Sequence, residues 1–135
     1  MSEVVFLDSS FWIAYRDQRE SSHTAARGIL TDLFRARARF TTTFPVVCEI
    51  HAYFSRHAGK RRLVIEDLWA NPLLHVEEVT HKDQGKAIEL LRHRADKSFS
   101  LCDAASFVVM QRLGLRRVAT FDDHFQQFGE FEIVR

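Results

Sequence analysis

The sequence predicts an α/β domain built on a mainly parallel sheet. Three observations carry this. Short apolar runs of strand length alternate with longer segments of helical periodicity along the whole chain. Only 5 Gly and 2 Pro are present, so connections are short. Acidic residues fall where two of the strands end, the edge at which open parallel sheets hold their ligands.

Val4-Val5-Phe6-Leu7 is a short apolar run ending at Asp8 and reads as a buried strand. Ser9 to Tyr15 follows as a short helix. Ser21 or Ser22 caps a second helix, in which Ala26, Ile29, Leu30, Leu33 and Phe34 recur at helical spacing. Arg39 to Thr43 is short and β-branched, a second strand. Pro45 suits the first turn of a helix running to about His57. Lys60 to Asn71 is a further helix, stopped by Pro72. Leu73 to Val79 reads as a strand and Lys82 to Ala95 as an amphipathic helix. Ser100 opens a helix to Leu113 that is apolar nearly all round, which predicts a central, buried position, and Gly114 ends it. Arg117 to Phe121 is a strand running into Asp122, and Glu130 to Val134 a final strand.

With 135 residues, 46% of them hydrophobic, the chain reads as one domain over 1–135 with its own core. No apolar run approaches the roughly 20 residues of a membrane span. Met1 to Phe6 lacks the pattern of a secretory signal, which makes the cytoplasm the expected compartment. The charges balance at +1, with 19 basic and 18 acidic residues, and this excludes a simple electrostatic coat for nucleic acid. Cys48 and Cys102 have no zinc-like or redox-like spacing and are expected as buried, unbridged thiols.

Taken singly, Asp8 and Asp122 suit a helix cap or a turn, and Ser100-Leu101-Cys102-Asp103 suits a capping box. Glu49 is less easily explained. At about 100° per residue it lies at the edge of an apolar helix stripe of Val46, Ile50, Tyr53 and His57, where an ionised carboxylate needs a partner or a metal unless it reaches outward. Acids gathered at one sheet edge repel, raise one another's pKa values and invite a cation. Oxygen ligands alone suit Mg²⁺ or Mn²⁺ rather than zinc.

Four blocks resemble the PIN-domain ribonucleases, most closely the toxins of VapBC toxin–antitoxin pairs: FLDSSFWIA (6–14), TTTFPVVCEI (41–50), SFSLCDAASFVVMQRLGL (98–115) and ATFDDHF (119–125). They cover nearly the whole chain in order, and 98–125 is the most specific stretch. The resemblance implies a five-stranded parallel sheet in an α/β/α sandwich. It implies Mg²⁺- or Mn²⁺-dependent endonucleolytic cleavage of RNA, leaving a 5′-phosphate and a 3′-hydroxyl. The metal-holding acids carry over to Asp8, Glu49, Asp103 and Asp122, with Ser10 and Thr120 as supporting hydroxyls. The implied partners are RNA, a small antitoxin covering the acidic groove, and a second copy of the chain. Asp123 departs from the family, which often has a basic residue there, and leaves open which of Asp122 and Asp123 is nearer the metal.

Arg56, His57, Lys60, Arg61 and Arg62 form the densest basic cluster, suited to RNA phosphates, to an acidic antitoxin segment, or simply to solvent. Phe11 and Trp12 suit the core, a dimer contact or an antitoxin helix. Cys48 and His51 have zinc-like spacing but no second pair. His124, beside Asp122 and Asp123, reads as a packing or surface residue with substrate contact as the alternative. Two other functions fit the same pattern: a housekeeping RNA-processing nuclease without an antitoxin, and a non-catalytic RNA- or protein-binding module on the same fold.

Overall fold

A computed structural model describes residues 3–56 and 58–135. Five strands, β1 (Val4–Leu7), β2 (Arg39–Thr43), β3 (Leu74–Glu77), β4 (Arg117–Ala119) and β5 (Glu132–Ile133), form one sheet in the order β3-β2-β1-β4-β5. Every pairing is parallel. The helices are α1 (Ser9–Arg16), α2 (His23–Arg35), α3 (Phe44–Phe54), α4 (Ala58–Trp69), α5 (His81–His93), α6 (Leu101–Leu113) and α7 (His124–Phe128). The chain steps outward from β1 to β3, then crosses back to β4 on the other side of β1 and continues to β5. Right-handed crossovers therefore place α1 to α4 on one face and α5 to α7 on the other, giving the three layers. The order reverses between β1 and β4, which makes the crevice above that pair the place for a ligand.

The predicted strands and the six longer helices are all present, mostly within two residues of their expected ends. The short helix α7 was not expected. It spans one turn and a half, too short for periodicity to stand out, although Phe125 and Phe128 bury one side and Gly129 at φ +82° closes it. The expected end of α3 near His57 lies outside the described residues. The stripe on α3 also differs. Val46, Val47, Ile50 and Phe54 are its buried residues, whereas Tyr53 turns outward to hydrogen-bond Asp17 and Glu20.

Helix α6 is central, as its composition predicts: Asp103 through Met110 are buried without a break. Its start is fixed by Ser100. The Ser100 hydroxyl accepts from the Asp103 amide at 3.0 Å, and the Asp103 carboxylate accepts from the Ser100 amide at 2.9 Å. Its end is fixed by Gly114 at φ +67°, a left-handed cap that side chains resist. Near that end Arg112 donates to buried Asp83 at the start of α5, to Glu77 at the end of β3 and to the Glu78 carbonyl. Burial pushes the Asp83 carboxyl up, but Arg112 and the Thr80 cap outweigh it and hold its pKa below the usual range.

Arg112→Met leaves Asp83 buried without its cation. We expect a loss of about 3 kcal/mol in urea unfolding, with part of it restored in the double variant Arg112→Met/Asp83→Asn. Equal stabilities of wild type and Arg112→Met contradict this role.

Candidate functional site

The site is built on the register of β1 and β4. Leu7 pairs with Ala119, so the next residues, Asp8 and Thr120, meet where both strands end. Asp8 is 3% exposed. Its Oδ2 accepts from the Ser10 hydroxyl at 2.8 Å and from the Thr120 hydroxyl at 2.8 Å. Each hydroxyl carries one proton, and both protons are directed at this oxygen. The hydroxyl oxygens in turn accept from backbone amides, Ser10 from Phe121 and Thr120 from Asp122, each at 3.0 Å. The two supporting hydroxyls thus tie Asp8 to the turn that carries Asp122.

Asp103 projects from the first turn of α6. Its Oδ2, already part of the capping box, lies 2.6 Å from Nδ1 of His124. The same Nδ1 is 3.4 Å from Oδ1 of Asp122, which accepts from the His124 amide at 2.9 Å. Carboxylate oxygens of Asp103 and Asp122 and a ring nitrogen of His124 all lie within 4.8 Å of one another. Asp103 is therefore both a structural cap and a member of this cluster. Asp122 is half-buried and belongs to the cluster. Asp123, its neighbour, is exposed at the start of α7 and lies outside it. Composition and motif gave His124 little weight. Its signal was its place two residues after Asp122, where a helix start turns the ring back over the acid.

Glu49 stands apart from this trio. It is exposed on α3 and accepts from the Ser9 hydroxyl at 2.8 Å. Cys102, expected as a core filler, is half-buried near it. Burial, then the charge of Glu49, hold the thiol pKa well above its ordinary value. Cys48, also expected to be buried, is exposed, because the buried side of α3 is taken by Val46, Val47 and Ile50. Phe11 and Trp12 are buried in the core, 0% and 6% exposed, which removes them from the surface available to RNA or a partner. Arg56, Lys60, Arg61 and Arg62 are exposed beside the α3–α4 connection, and Arg62 pairs with Glu66. His57 lies outside the described residues.

The pKa of Asp8 is raised from 3.8 to about 6. Burial is the largest cause. The Ser10 and Thr120 hydrogen bonds oppose it, and the charge of Asp103 adds less than either. Crowding of like charges, the expected cause, is thus secondary to desolvation. The donor set suits a divalent cation: two carboxylates and an imidazole converge, and a third, buried carboxylate beside them has no cationic partner among the described residues.

A family description matches residues 5–130 of the chain, that of the PIN domain. The chain belongs to the PIN-domain family. It is 27% identical over 131 residues to the 23S rRNA-specific endonuclease VapC20 of Mycobacterium tuberculosis, covering 96% of this chain and 98% of that protein. The crystal structure of VapC20, described as a Sarcin-Ricin loop cleaving toxin, superposes with a TM-score of 0.84 at 26% identity, over 97% of this chain and 99% of that one. FitAcB from Neisseria gonorrhoeae shares the fold, with a TM-score of 0.70 at 13% identity over 97% and 96% of the two chains. VapBC2 from Rickettsia felis does so with 0.66 at 10% identity, over 96% of each.

A carboxyl whose folded pKa lies above its unfolded value favours the fold at low pH and penalises it once ionised. Stability of the metal-free protein should therefore fall as pH rises from about 4 to about 6, by up to roughly 3 kcal/mol from Asp8. Asp8→Asn keeps an oxygen for both hydroxyls and removes the charge. In EDTA it should melt above wild type at about pH 7.5, with the gap closing toward pH 4. Melts that run parallel for the two proteins across this range contradict the burial of an ionised Asp8.

Proposed function

We propose that this PIN-domain protein is a metal-dependent endoribonuclease and the toxin of a two-component toxin–antitoxin pair, with 1–135 acting as one nuclease unit. The convergence of Asp103, Asp122 and His124 beside buried Asp8, at the point where the sheet order reverses, carries this reading. Asp8, Asp103 and Asp122 would hold Mg²⁺ or Mn²⁺, with Glu49 completing the acidic edge from α3. A bound ion there supplies positive charge against the scissile phosphate and acidifies a water for in-line attack.

The chain's own residues prepare that chemistry. Ser10 and Thr120 fix the orientation of Asp8, so its carboxylate has little freedom left to lose on binding a cation. The capping box fixes Asp103 at the rigid start of the most buried helix. The amide of His124 fixes Asp122 in the same way. Ser9 holds Glu49 toward the sheet edge. These second contacts keep mutually repelling acids in place before any ion arrives.

The substrate we propose is structured ribosomal RNA, on the strength of the VapC20 relationship over nearly the full chain. A recognised RNA of this kind is read by shape and by exposed loops. An acidic antitoxin segment or RNA phosphates would meet Arg56, Lys60, Arg61 and Arg62. Exposed Leu63, Ile65 and Trp69 on the same helix supply apolar surface for a protein partner or a second copy. A ribosomal RNA substrate would put the activity in the cytoplasm; no helix among the described residues is long and apolar enough to cross a membrane.

Purified protein should cleave ribosomal RNA with Mg²⁺ or Mn²⁺ and lose the activity in EDTA. Asp103→Asn should lower the rate by about two orders of magnitude or more while remaining folded, since Asn can still accept the cap hydrogen bond. Inducing wild type alone should arrest growth, and Asp103→Asn at equal level should not. Cleavage that survives chelation overturns the metal reading. Cleaving protein that is harmless to cells favours a housekeeping nuclease instead, and a folded protein that cuts no RNA favours the binding module.

A further inference from the structure

We infer that His124 is a nitrogen ligand of the metal centre and that it gives the site a preference for Mn²⁺ over Mg²⁺. This rests on the metal-dependent reading above and goes past its oxygen-only ligand set.

The geometry is that of one face of a coordination shell. An octahedral ion with bonds of about 2.1 Å holds neighbouring donors about 3 Å apart. Nδ1 of His124 lies 2.6 Å from Asp103 Oδ2 and 3.4 Å from Asp122 Oδ1, on either side of that spacing. An ion held by the three groups would replace the direct Nδ1 contact with Asp103.

The opposite edge of the ring is prepared for this role. Without an ion Nδ1 donates its proton to Asp103 Oδ2, and Nε2 lies 3.3 Å from the Ser98 hydroxyl, which can accept a proton from Nε2 once a cation takes the place of the proton on Nδ1. Metal-bound imidazoles are oriented in this way by a partner on the other nitrogen. Phe99 packs edge-on against the ring at 5.6 Å between centroids and 80° between planes, which limits its rotation. The His124 side chain is 23% exposed, so the ring is neither sealed in the core nor loose in solvent. A ring with only a packing role needs neither the Ser98 partner nor the placement of Nδ1 between two carboxylates.

Two carboxylates and an imidazole change the selectivity. Mg²⁺ takes oxygen donors and keeps its waters, whereas Mn²⁺ accepts carboxylate and also binds imidazole. Nitrogen in the set therefore favours Mn²⁺.

The direct test is pulsed electron paramagnetic resonance of Mn²⁺-loaded wild type, prepared with natural-abundance and with ¹⁵N-labelled histidine. We expect a ¹⁴N coupling of directly bound imidazole that is replaced by ¹⁵N on labelling and is absent from His124→Ala. In titrations with the metal alone, wild type should bind Mn²⁺ at least about tenfold tighter than Mg²⁺. His124→Ala should weaken Mn²⁺ about 10- to 100-fold and change Mg²⁺ by less than about threefold. Mn²⁺ bound by wild type with no histidine nitrogen coupling overturns the inference and leaves the metal reading standing. Equal losses for both ions in His124→Ala also overturn it, since His124 then only positions Asp103. A wild type that binds neither ion overturns both. The wild-type spectra need no variant, so a poorly folding His124→Ala does not remove the test.

Discussion

The carboxylate of Asp8, buried where β1 and β4 end side by side, is the constraint on which the rest of the site depends. Its charge is taken out of water and has no cationic partner among the described residues. What it has instead are two hydroxyls, from Ser10 and Thr120, each held by a backbone amide of the β4 turn. Those bonds offset part of the cost of burial, and the raised pKa records the part they do not offset. The parallel register that aligns Leu7 with Ala119 makes this arrangement available. A slip of one residue would turn Asp8 to the opposite face of the sheet and part it from Thr120.

The topology brings the remaining groups to the same place by separate routes. Asp103 comes from the opposite side of the chain's return crossing, at the start of the helix most deeply enclosed in the molecule. Asp122 and His124 come from the turn after β4. Glu49 comes from α3, about one and a half turns past the end of β2. The acids are thus far apart in sequence and supported by different elements, and each is restrained by its own hydrogen bonds. These restraints hold like charges together and explain why the fold forms around an edge that electrostatics alone would disperse.

Much of this was legible in the sequence, and the parts that were not share physical reasons. Strand boundaries such as Arg39–Thr43 followed from β-branching and flanking breakers, and α6 from its apolar surround with Ser100 and Gly114 at its ends. The acids at strand ends and the four motif blocks pointed to one sheet edge. The short helix α7 escaped because five residues hold too little of a 3.6-residue period to stand out. His124 escaped with it, since its ring is aimed by that helix start. Cys48 and Cys102 both depart from the expectation of core fillers: on α3 the core side belongs to Val46, Val47 and Ile50, and on α6 the half-buried position before Asp103 lies near Glu49.

That last placement shows how the site divides. Asp103, Asp122 and His124 form one group, and Glu49 with Ser9 and Cys102 forms another. Cys102 and Asp103 are consecutive, so the first turn of α6 serves both groups at once. Its thiol lies near Glu49 on one side, and its carboxylate faces His124 on the other. The start of α6 also carries the positive end of the helix dipole, which favours negative charge at this point. Ser100 therefore does more than begin a helix. By fixing the Asp103 carboxylate through the capping box it fixes the turn that spaces the two acidic groups, and a cap found in many ordinary helices becomes the element that sets the width of this candidate catalytic edge.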